Sequence, residues 1–209
     1  MGLLLGLDWL AKHEGVNAAR LFKVLSLVLV ALVLVVLLSA FQRMSLYESA
    51  YGFTSLRLYT HWFMLWMGLV FGLKALDIVL NGGAHARPSV FAFGGFLSLI
   101  VALAGFNLLN PDAYIDEQNL KRYVETGKLD TGYAASLSAD AAPVLVAYFD
   151  QLKGDEQTKV GGVLRYQMDD LYRRLAHAAW PSYHWARKQA LDALLARRDT
   201  LNQYQPARP

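Results

Sequence analysis

One apolar run constrains this chain more than any other feature of its sequence: VLSLVLVALVLVVLLSAF, from Val24 to Phe41. The run contains no charged residue, no proline and no glycine. A helix of about 20 apolar residues crosses the hydrocarbon core of a bilayer. A cleaved signal peptide is disfavoured, because the run is too long and LLSAF lacks a small-x-small cleavage site. We therefore predict a membrane span at 24–41, preceded at 1–23 by an interfacial segment or the remainder of an earlier span.

Two more apolar segments follow the first one. The segment LYTHWFMLWMGLVFGLKALDIVL at 58–80 reaches roughly 34 Å as a helix, enough to cross a bilayer with some tilt. Its two charges, Lys74 and Asp77, lie three residues apart, so that they can pair or extend to the interface. NGGAHARP forms a turn, and a third span is predicted at 89–109. The predicted fold is all-α, with a three-span membrane domain at 24–110 and a helical extramembrane domain at 111–209.

The stretch YGFTSLR joins the first two spans and brings a cation to the start of the second. We expect the first helix to continue past the bilayer and to end at Gly52, a residue suited to a left-handed C-cap. Thr54 fits the N-cap of the second span. Arg57 then either extends to lipid phosphates or pairs with Glu48. His61 is interpreted as an interface residue rather than as a metal ligand.

Small residues recur at helical spacing in the second and third spans. Gly68 and Gly72 form a Gly-x-x-x-Gly pair, and Gly94, Ser98 and Ala102 follow at four-residue intervals. Small residues on one face allow two membrane helices to approach closely. We therefore predict that spans 2 and 3 pack as an antiparallel hairpin through these faces, which are also suited to an oligomer. The first span, almost entirely Leu and Val, suits contact with membrane lipid.

Charge indicates topology only weakly and argues against a nucleic-acid partner. The basic residues on the two sides of the spans slightly favour a multi-pass protein with its N-terminus inside and its tail outside. After residue 110, Lys and Arg balance Asp and Glu one for one, so the net charge of +3 comes from the membrane half. A nucleic-acid-binding surface would need a basic face instead. The chain has no cysteine, so disulfides do not indicate a compartment.

Helix start and stop signals divide the tail. Asn110 as a cap, Pro111 at the first helical position and Gly127 at the end predict one helix. Further helices are predicted at about 131–137, from about Asp140 to a stop at Gly154, from about Val163 to a break at Pro181, and at 182–204. The last of these carries an apolar stripe of Tyr183, Ala186, Ala190, Leu191, Leu194 and Leu195. The end, QPARP, is expected to be loose.

Catalytic motifs do not occur in the sequence. It contains no Gly-rich phosphate loop, no G-x-S-x-G and no H-E-x-x-H, and its five histidines are scattered. Asp112, Asp116 and Glu117 follow the third span, where the helix dipole alone explains acidic residues. General acid–base chemistry would need two groups around one pocket. We expect no cofactor, no metal and no catalytic residue.

Three blocks of sequence, LYESAYGFTSLRLY, NPDAYIDEQNLKRY and LDTGYAASLSADAAPVL, resemble the C-terminal half of a bacterial integral-membrane family, domain of unknown function 4173. The resemblance covers roughly 40 to 195 and implies a bacterial inner-membrane location and a shared fold, without an assigned activity. Members typically carry more spans before this region, and their C-terminal Trp-Asn is replaced here by SYHWAR. The matching positions are Tyr51, Gly52, Thr54, Arg57, Asn110, Pro111, Asp112, Asn119, Arg122, Leu137, Ser138, Asp140 and Pro143.

Two classes of function are compatible with these features. The first is a non-enzymatic membrane protein whose helical tail docks a protein partner or whose spans complete a larger assembly. The second is a component of a membrane-interface enzyme or transporter with a polar site around Arg57, Asn110 and Asp112. At the junction of span 3 and the tail, we expect Arg57 or Arg122 to reach Asp112. The candidate interface cluster comprises Glu48, Arg57, Asn110, Asp112, Asn119 and Arg122.

Overall fold

A computed structural model describes residues 16–81, 90–176 and 185–208. Within these ranges every regular element is an α- or 3₁₀-helix and none is a strand, which confirms the all-α prediction. Three expected features lie outside the described residues: the start of the N-terminal segment, most of the turn after span 2, and the helix break at Pro181.

The described residues fall into two compact units. The first unit holds 16–50, 59–81 and 90–108, and the second holds 51–58, 109–176 and 185–208. The turn at 51–58, which the sequence-based division left in the membrane domain, therefore groups with the helical tail. Hydrogen bonds from two tail helices to this turn explain the grouping.

The first unit consists of three helices: α1 (Val16–Tyr51), α2 (Ser55–Asn81, from Tyr59 onward) and α3 (Val90–Leu108). All three are long and apolar enough to cross a membrane. Helix α1 ends where predicted, directly before Gly52, whose φ of 85° lies in the left-handed region that favours glycine.

Contacts along α1 and α2 show that these helices are antiparallel. Near one end, the Lys23 ammonium donates to the carbonyl oxygen of Val79, with Nζ and O 3.1 Å apart. Near the other end, the rings of Phe41 and His61 lie 4.4 Å apart between centroids. Between these contacts most of the α1 side chains are apolar and exposed, which suits contact with lipid, as the Leu and Val composition predicts.

Helices α2 and α3 form the predicted antiparallel hairpin, and tryptophans fill its interface. The indole of Trp62 donates to the carbonyl of Ala102 at 3.0 Å, and that of Trp66 donates to the Ser98 hydroxyl at 3.3 Å. A Cβ at Gly94 would lie 3.4 Å from the Leu73 side chain. The small residues of α3 thus leave room for large side chains of α2, whose indole N–H groups need acceptors away from water.

The expected role of the Gly-x-x-x-Gly pair in this hairpin is wrong. A Cβ at Gly68 would meet Leu37 of α1 at 3.5 Å, and one at Gly72 would meet no described atom within 4 Å. Trp62 and Trp66 occupy the face of α2 that is turned to α3, so the two glycines lie on another side of the helix. In the described part of the hairpin, α3 supplies small residues such as Gly94 and Gly105 that face large side chains of α2.

The second unit packs its helices around one apolar core. Its helices are α4 (Pro111–Thr126), α5 (Thr131–Ser136), α6 (Ala142–Tyr148), α7 (Gly154–Ala176), α8 (Trp185–Ala196) and α9 (Arg198–Leu201), with 3₁₀ turns at Ala139–Ala141 and Phe149–Gln151. Buried Leu120, Leu145, Phe149, Leu164 and Leu194 contribute from five of these elements. The core thus includes Leu194 of the apolar stripe predicted for the last helix.

Two expectations about the tail are wrong. Helix α7 starts at Gly154 instead of near Val163, and the C-terminal segment is docked instead of loose. The amide of Ala207 donates to the carbonyl of Gly162 at 3.0 Å. At Gly161 an added Cβ would lie 2.7 Å from the Tyr204 ring. The two glycines therefore form a notch on a helix that the chain end covers.

Candidate functional site

The turn between the first two long helices is held by a side chain from α4. The amide of Asn119 accepts from the N–H of Phe53 at 2.7 Å and donates to the carbonyl of the same residue at 2.9 Å. The Phe53 ring also meets Tyr114 of α4 edge-on, at 6.1 Å between centroids. One asparagine thus satisfies both polar backbone groups of a residue in a turn that forms no helix of its own.

The start of α2 is held by a side chain from α5. The N–H of Ser55 donates to the Tyr133 hydroxyl at 2.6 Å, and the hydroxyls of the two residues lie 3.0 Å apart. The N–H of Arg57 donates to Thr54 Oγ1 at 3.5 Å, a long form of the predicted cap. Ser55 and Tyr133 were not identified from the sequence, since nothing in either local pattern indicates a partner 78 residues away.

Two arginines lie at Gly52. The Arg57 guanidinium donates to the Gly52 carbonyl. The guanidinium of Arg122 lies close by, since a Cβ at Gly52 would be 3.6 Å from its Nη1. The same Cβ would be 2.8 Å from Asn119 Oδ1. Gly52 therefore allows both the left-handed turn and the close approach of Asn119, and three residues of the predicted cluster surround it.

A second set of bonds lies at the start of α4. Asn110 occupies the N-cap position with a φ of 49°, yet its side chain makes no capping bond and donates to the Asp140 carbonyl at 3.5 Å. The Asp112 carboxylate accepts from the N–H of Ser138 at 3.1 Å. Arg57 donates to the Gly52 carbonyl and forms no ion pair with Asp112. The alternative, in which Arg122 reaches Asp112, stays a prediction.

Within the first unit Glu48 contacts His61. Its pairing with Arg57 was one of two alternatives for that arginine, next to contact with lipid phosphates. Glu48 Oε1 lies 2.8 Å from His61 Nδ1, and Ser45 Oγ lies 3.4 Å from His61 Nε2. Glu48 is 4% exposed. The sequence signal was that Glu48 and His61 are polar residues next to apolar segments, on the two sides of one turn. Their pairing depends on the rotation of both helices.

Asp116 in α4 is the most unusual acid in the second unit. It is fully buried, and neither carboxyl oxygen has a hydrogen-bond partner among the described residues. Burial raises the pKa of its carboxyl from 3.8 to about 8, and the neighbouring Asp112 charge adds to the rise. We expect a neutral carboxyl at pH 7. Its place between the buried Ile115 and Leu120 was the available sequence signal.

Possible metal ligands are not clustered in the described part of the chain. No group of three His, Cys, Asp or Glu side chains there is arranged to hold a metal ion. Of the six residues in the predicted cluster, Arg57, Asn110, Asp112 and Asn119 bond to backbone groups of their own unit, Glu48 bonds to His61, and Arg122 lies beside Gly52.

Three long apolar helices and a packed helical unit are the architecture of an α-helical integral membrane protein. The family is shown by a model described as Domain of unknown function (DUF4153), which matches residues 1–148, and the chain belongs to that family. Membership of a family of unknown function is thus confirmed, whereas the particular family 4173 is not. No curated protein and no solved structure matches the chain.

Proposed function

We propose that this chain is a non-enzymatic assembly protein of the bacterial inner membrane, with its N-terminus inside, its tail outside and a protein partner docked on the second unit. The observation that carries the proposal is that polar residues of the predicted cluster bond to the backbone of the protein itself. Asn119, Asp112 and Arg57 each bond to backbone groups within their unit. Such bonds rigidify a scaffold and leave these groups engaged, whereas a catalytic or transport site needs polar groups directed at a ligand.

A concave surface on α7 is the place where we would test partner binding. Tyr166, Asp169, Tyr172, Arg173 and Pro206 line a concavity of about 440 Å³. Tyr172 is 61% exposed there. Tyrosine and arginine are enriched among the residues that dominate the energy of protein interfaces. The docked C-terminal segment supplies Pro206, so the chain end contributes to this surface.

The test is purification in mild detergent after cross-linking in the native membrane. We expect one protein to co-purify with the wild-type chain and to be lost with Tyr172→Ala and Arg173→Ala. Lys159→Ala provides the matched control, because Lys159 lies on the same helix, outside the concavity, in an exposed pair with Asp155. Equal recovery of the same protein with all three variants would show that this surface does not bind it.

Membrane lipid is the second expected partner, and a further copy of the chain is the third. The exposed apolar side chains of α1 and α3 suit lipid contact. Gly72 has space beside it, which would suit a second copy. The chain has no cysteine, so Gly72→Cys gives one unambiguous cross-linking position. A disulfide-linked dimer from Gly72→Cys, absent with Leu32→Cys at the lipid-exposed side of α1, is the result that would support an oligomer.

A further inference from the structure

The end of the described chain, the segment 204–208, lies in a groove on α7 and is held there as a bound peptide would be. The N–H of Ala207 donates to the carbonyl of Gly162 at 3.0 Å. The ring of Tyr204 meets that of Phe149 edge-on, at 5.6 Å between centroids. Residues 205–208 form no regular secondary structure and are exposed. An aromatic anchor and a backbone hydrogen bond thus hold this end segment to the second unit.

The groove is formed by two glycines that helix propensity alone does not explain. Gly161 and Gly162 lie in the interior of α7, where glycine is less favourable than alanine. A Cβ at Gly161 would lie 2.7 Å from the Tyr204 ring, and one at Gly162 would lie 2.8 Å from the Gln205 carbonyl oxygen. A larger residue at either position would therefore displace the end segment. The shape of the groove is matched to a ring that is followed by a length of backbone.

The end segment also brings a cation to the concavity on α7. The guanidinium carbon of Arg208 lies 5.8 Å from the centre of the Tyr166 ring, which lines the concavity. An aromatic face attracts a cation at this distance. The lining also holds Asp169, whose Oδ2 lies 3.4 Å from Arg165 Nε, and Arg173, whose Nε donates to the Asp169 carbonyl at 3.2 Å. The ring of Tyr166 is therefore a cation-binding face that the arginine of the end segment covers.

We propose that the glycine groove and Tyr166 form a peptide-binding site, and that the end segment is a tethered ligand which a partner protein displaces. The partner contributes an unstructured segment with an aromatic ring for the notch at Gly161 and an arginine for Tyr166, spaced as Tyr204 and Arg208 are. This inference rests on the proposed function, because the site shares Tyr166 with the concavity where the partner docks. Exchange replaces Pro206 in the lining of that concavity by a residue of the partner.

A short connection makes the end segment a strong competitor for its own site. Only residues 202 and 203 separate it from the end of α9 at Leu201. A ligand on such a tether has an effective concentration in about the millimolar range. A partner segment therefore binds when other contacts hold it at a comparable concentration, or when the end segment has been released. The chain end thus limits docking to a partner that also recognises the neighbouring surface.

The test is binding of a fluorescent synthetic peptide, NQYQPAR, which copies residues 202–208, to the full chain in detergent. Fluorescence anisotropy measures the affinity. Tyr204→Ala releases the end segment and should raise the affinity for the peptide by at least about tenfold over wild type, because the tethered competitor is lost. Adding Gly161→Ala to this variant should abolish binding, since the added Cβ fills the notch. Adding Gly132→Ala instead is the matched control and should leave binding unchanged, since a Cβ there would lie 3.5 Å from Asp130 Oδ1, an ordinary contact.

A second pair of measurements tests the arginine. The peptide with Arg208→Ala should bind the Tyr204→Ala chain about two- to fivefold more weakly, because the cation–π contact is lost. The full chain with Arg208→Ala and its tyrosine kept should bind the unchanged peptide about two- to fivefold more tightly than wild type. Arg208 is exposed, so this substitution should leave the fold intact even if Tyr204→Ala does not.

An end segment that only completes the fold would not exchange with a peptide. No binding to the folded Tyr204→Ala chain would overturn the proposal, and so would equal affinity in wild type, Tyr204→Ala and Arg208→Ala. Undiminished binding after Gly161→Ala would have the same consequence. The co-purification test is independent of these outcomes: loss of the partner with Tyr172→Ala and Arg173→Ala would support the proposed function even if the peptide does not bind.

Discussion

Replacement of Asp116 by asparagine gives the sharpest prediction for the helical unit. The side chain is fully buried, and its two carboxyl oxygens lack partners among the described residues. Burial, and secondarily Asp112, raises the pKa of this carboxyl to about 8. In the unfolded chain the same carboxyl ionises near its model value of 3.8. Between about pH 4 and pH 8, the folded state therefore keeps a proton on Asp116 that the unfolded state releases.

The linkage between proton binding and folding gives the sign and the size of the change in the free energy of unfolding. Below about pH 4 both states are protonated and stability is undiminished; from there to about pH 8 stability falls by up to about 1.4 kcal/mol per pH unit. At pH 7 the loss reaches about 4 kcal/mol. Asp116→Asn cannot ionise, so this loss disappears, while burying the extra amide hydrogens costs about 1–3 kcal/mol. We expect a net gain of about 1–3 kcal/mol at pH 7 from the difference of these terms.

The assay is hydrogen exchange of the α4 amides in the full chain, measured at several pH values between 5 and 8 and corrected for the intrinsic exchange rate. Wild-type protection should fall as pH rises, and protection in Asp116→Asn should stay nearly constant. Asp155→Asn is the matched control, because Asp155 is an exposed acid paired with Lys159 and should change protection by less than about 1 kcal/mol. Equal pH dependence in wild type and Asp116→Asn would refute the reasoning.

Three further perturbations test the fold. Asn119→Ala removes both bonds to Phe53 and should lower the stability of the second unit by about 2–4 kcal/mol, measured by thermal unfolding. A change below about 0.5 kcal/mol would contradict the role of this amide. Gly161→Ala places a Cβ 2.7 Å from the C-terminal tyrosine ring and should release the chain end to protease, which Gly132→Ala should not. Val30→Asp together with Leu34→Asp should abolish integration of α1, since each central Asp costs roughly 2.5–3.5 kcal/mol, and normal recovery from membranes would contradict the span.

The sequence was sufficient wherever one local property decides the structure. An uncharged apolar run matched to bilayer thickness predicted α1, and the same argument predicted the two spans after it. The end of α1 before Gly52 and the end of α4 before Gly127 were predictable, because a left-handed residue closes a helix and glycine adopts that conformation at little cost. The antiparallel hairpin of α2 and α3 required only a short connection.

Partner choice within the candidate site was not predictable from sequence distance. For Arg57 the sequence left lipid phosphates, Glu48 and Asp112 open as partners, and its guanidinium donates to the Gly52 carbonyl. Glu48 found His61, and Asp112 found the N–H of Ser138. Each choice reflects a backbone or ring group that lies within reach only after helices have packed at a particular rotation. A backbone group in a turn needs a hydrogen-bond partner when it is removed from water, so it competes with an opposite charge for a side chain.

The sequence by itself determined that this chain has three membrane-length helices and a helical tail, because length, hydropathy and helix-ending residues are local quantities. Only the tertiary structure decided that Gly68 faces α1, that Asp116 is buried and that the chain end covers Gly161. A helix that is apolar on every side has no stripe to indicate which face meets which neighbour. A glycine pair in a helix likewise does not indicate whether another part of the chain packs against it, as Tyr204 does at Gly161, or none does, as at Gly72 among the described residues. Those outcomes depend on side chains distant in sequence, which come together only when the helices pack.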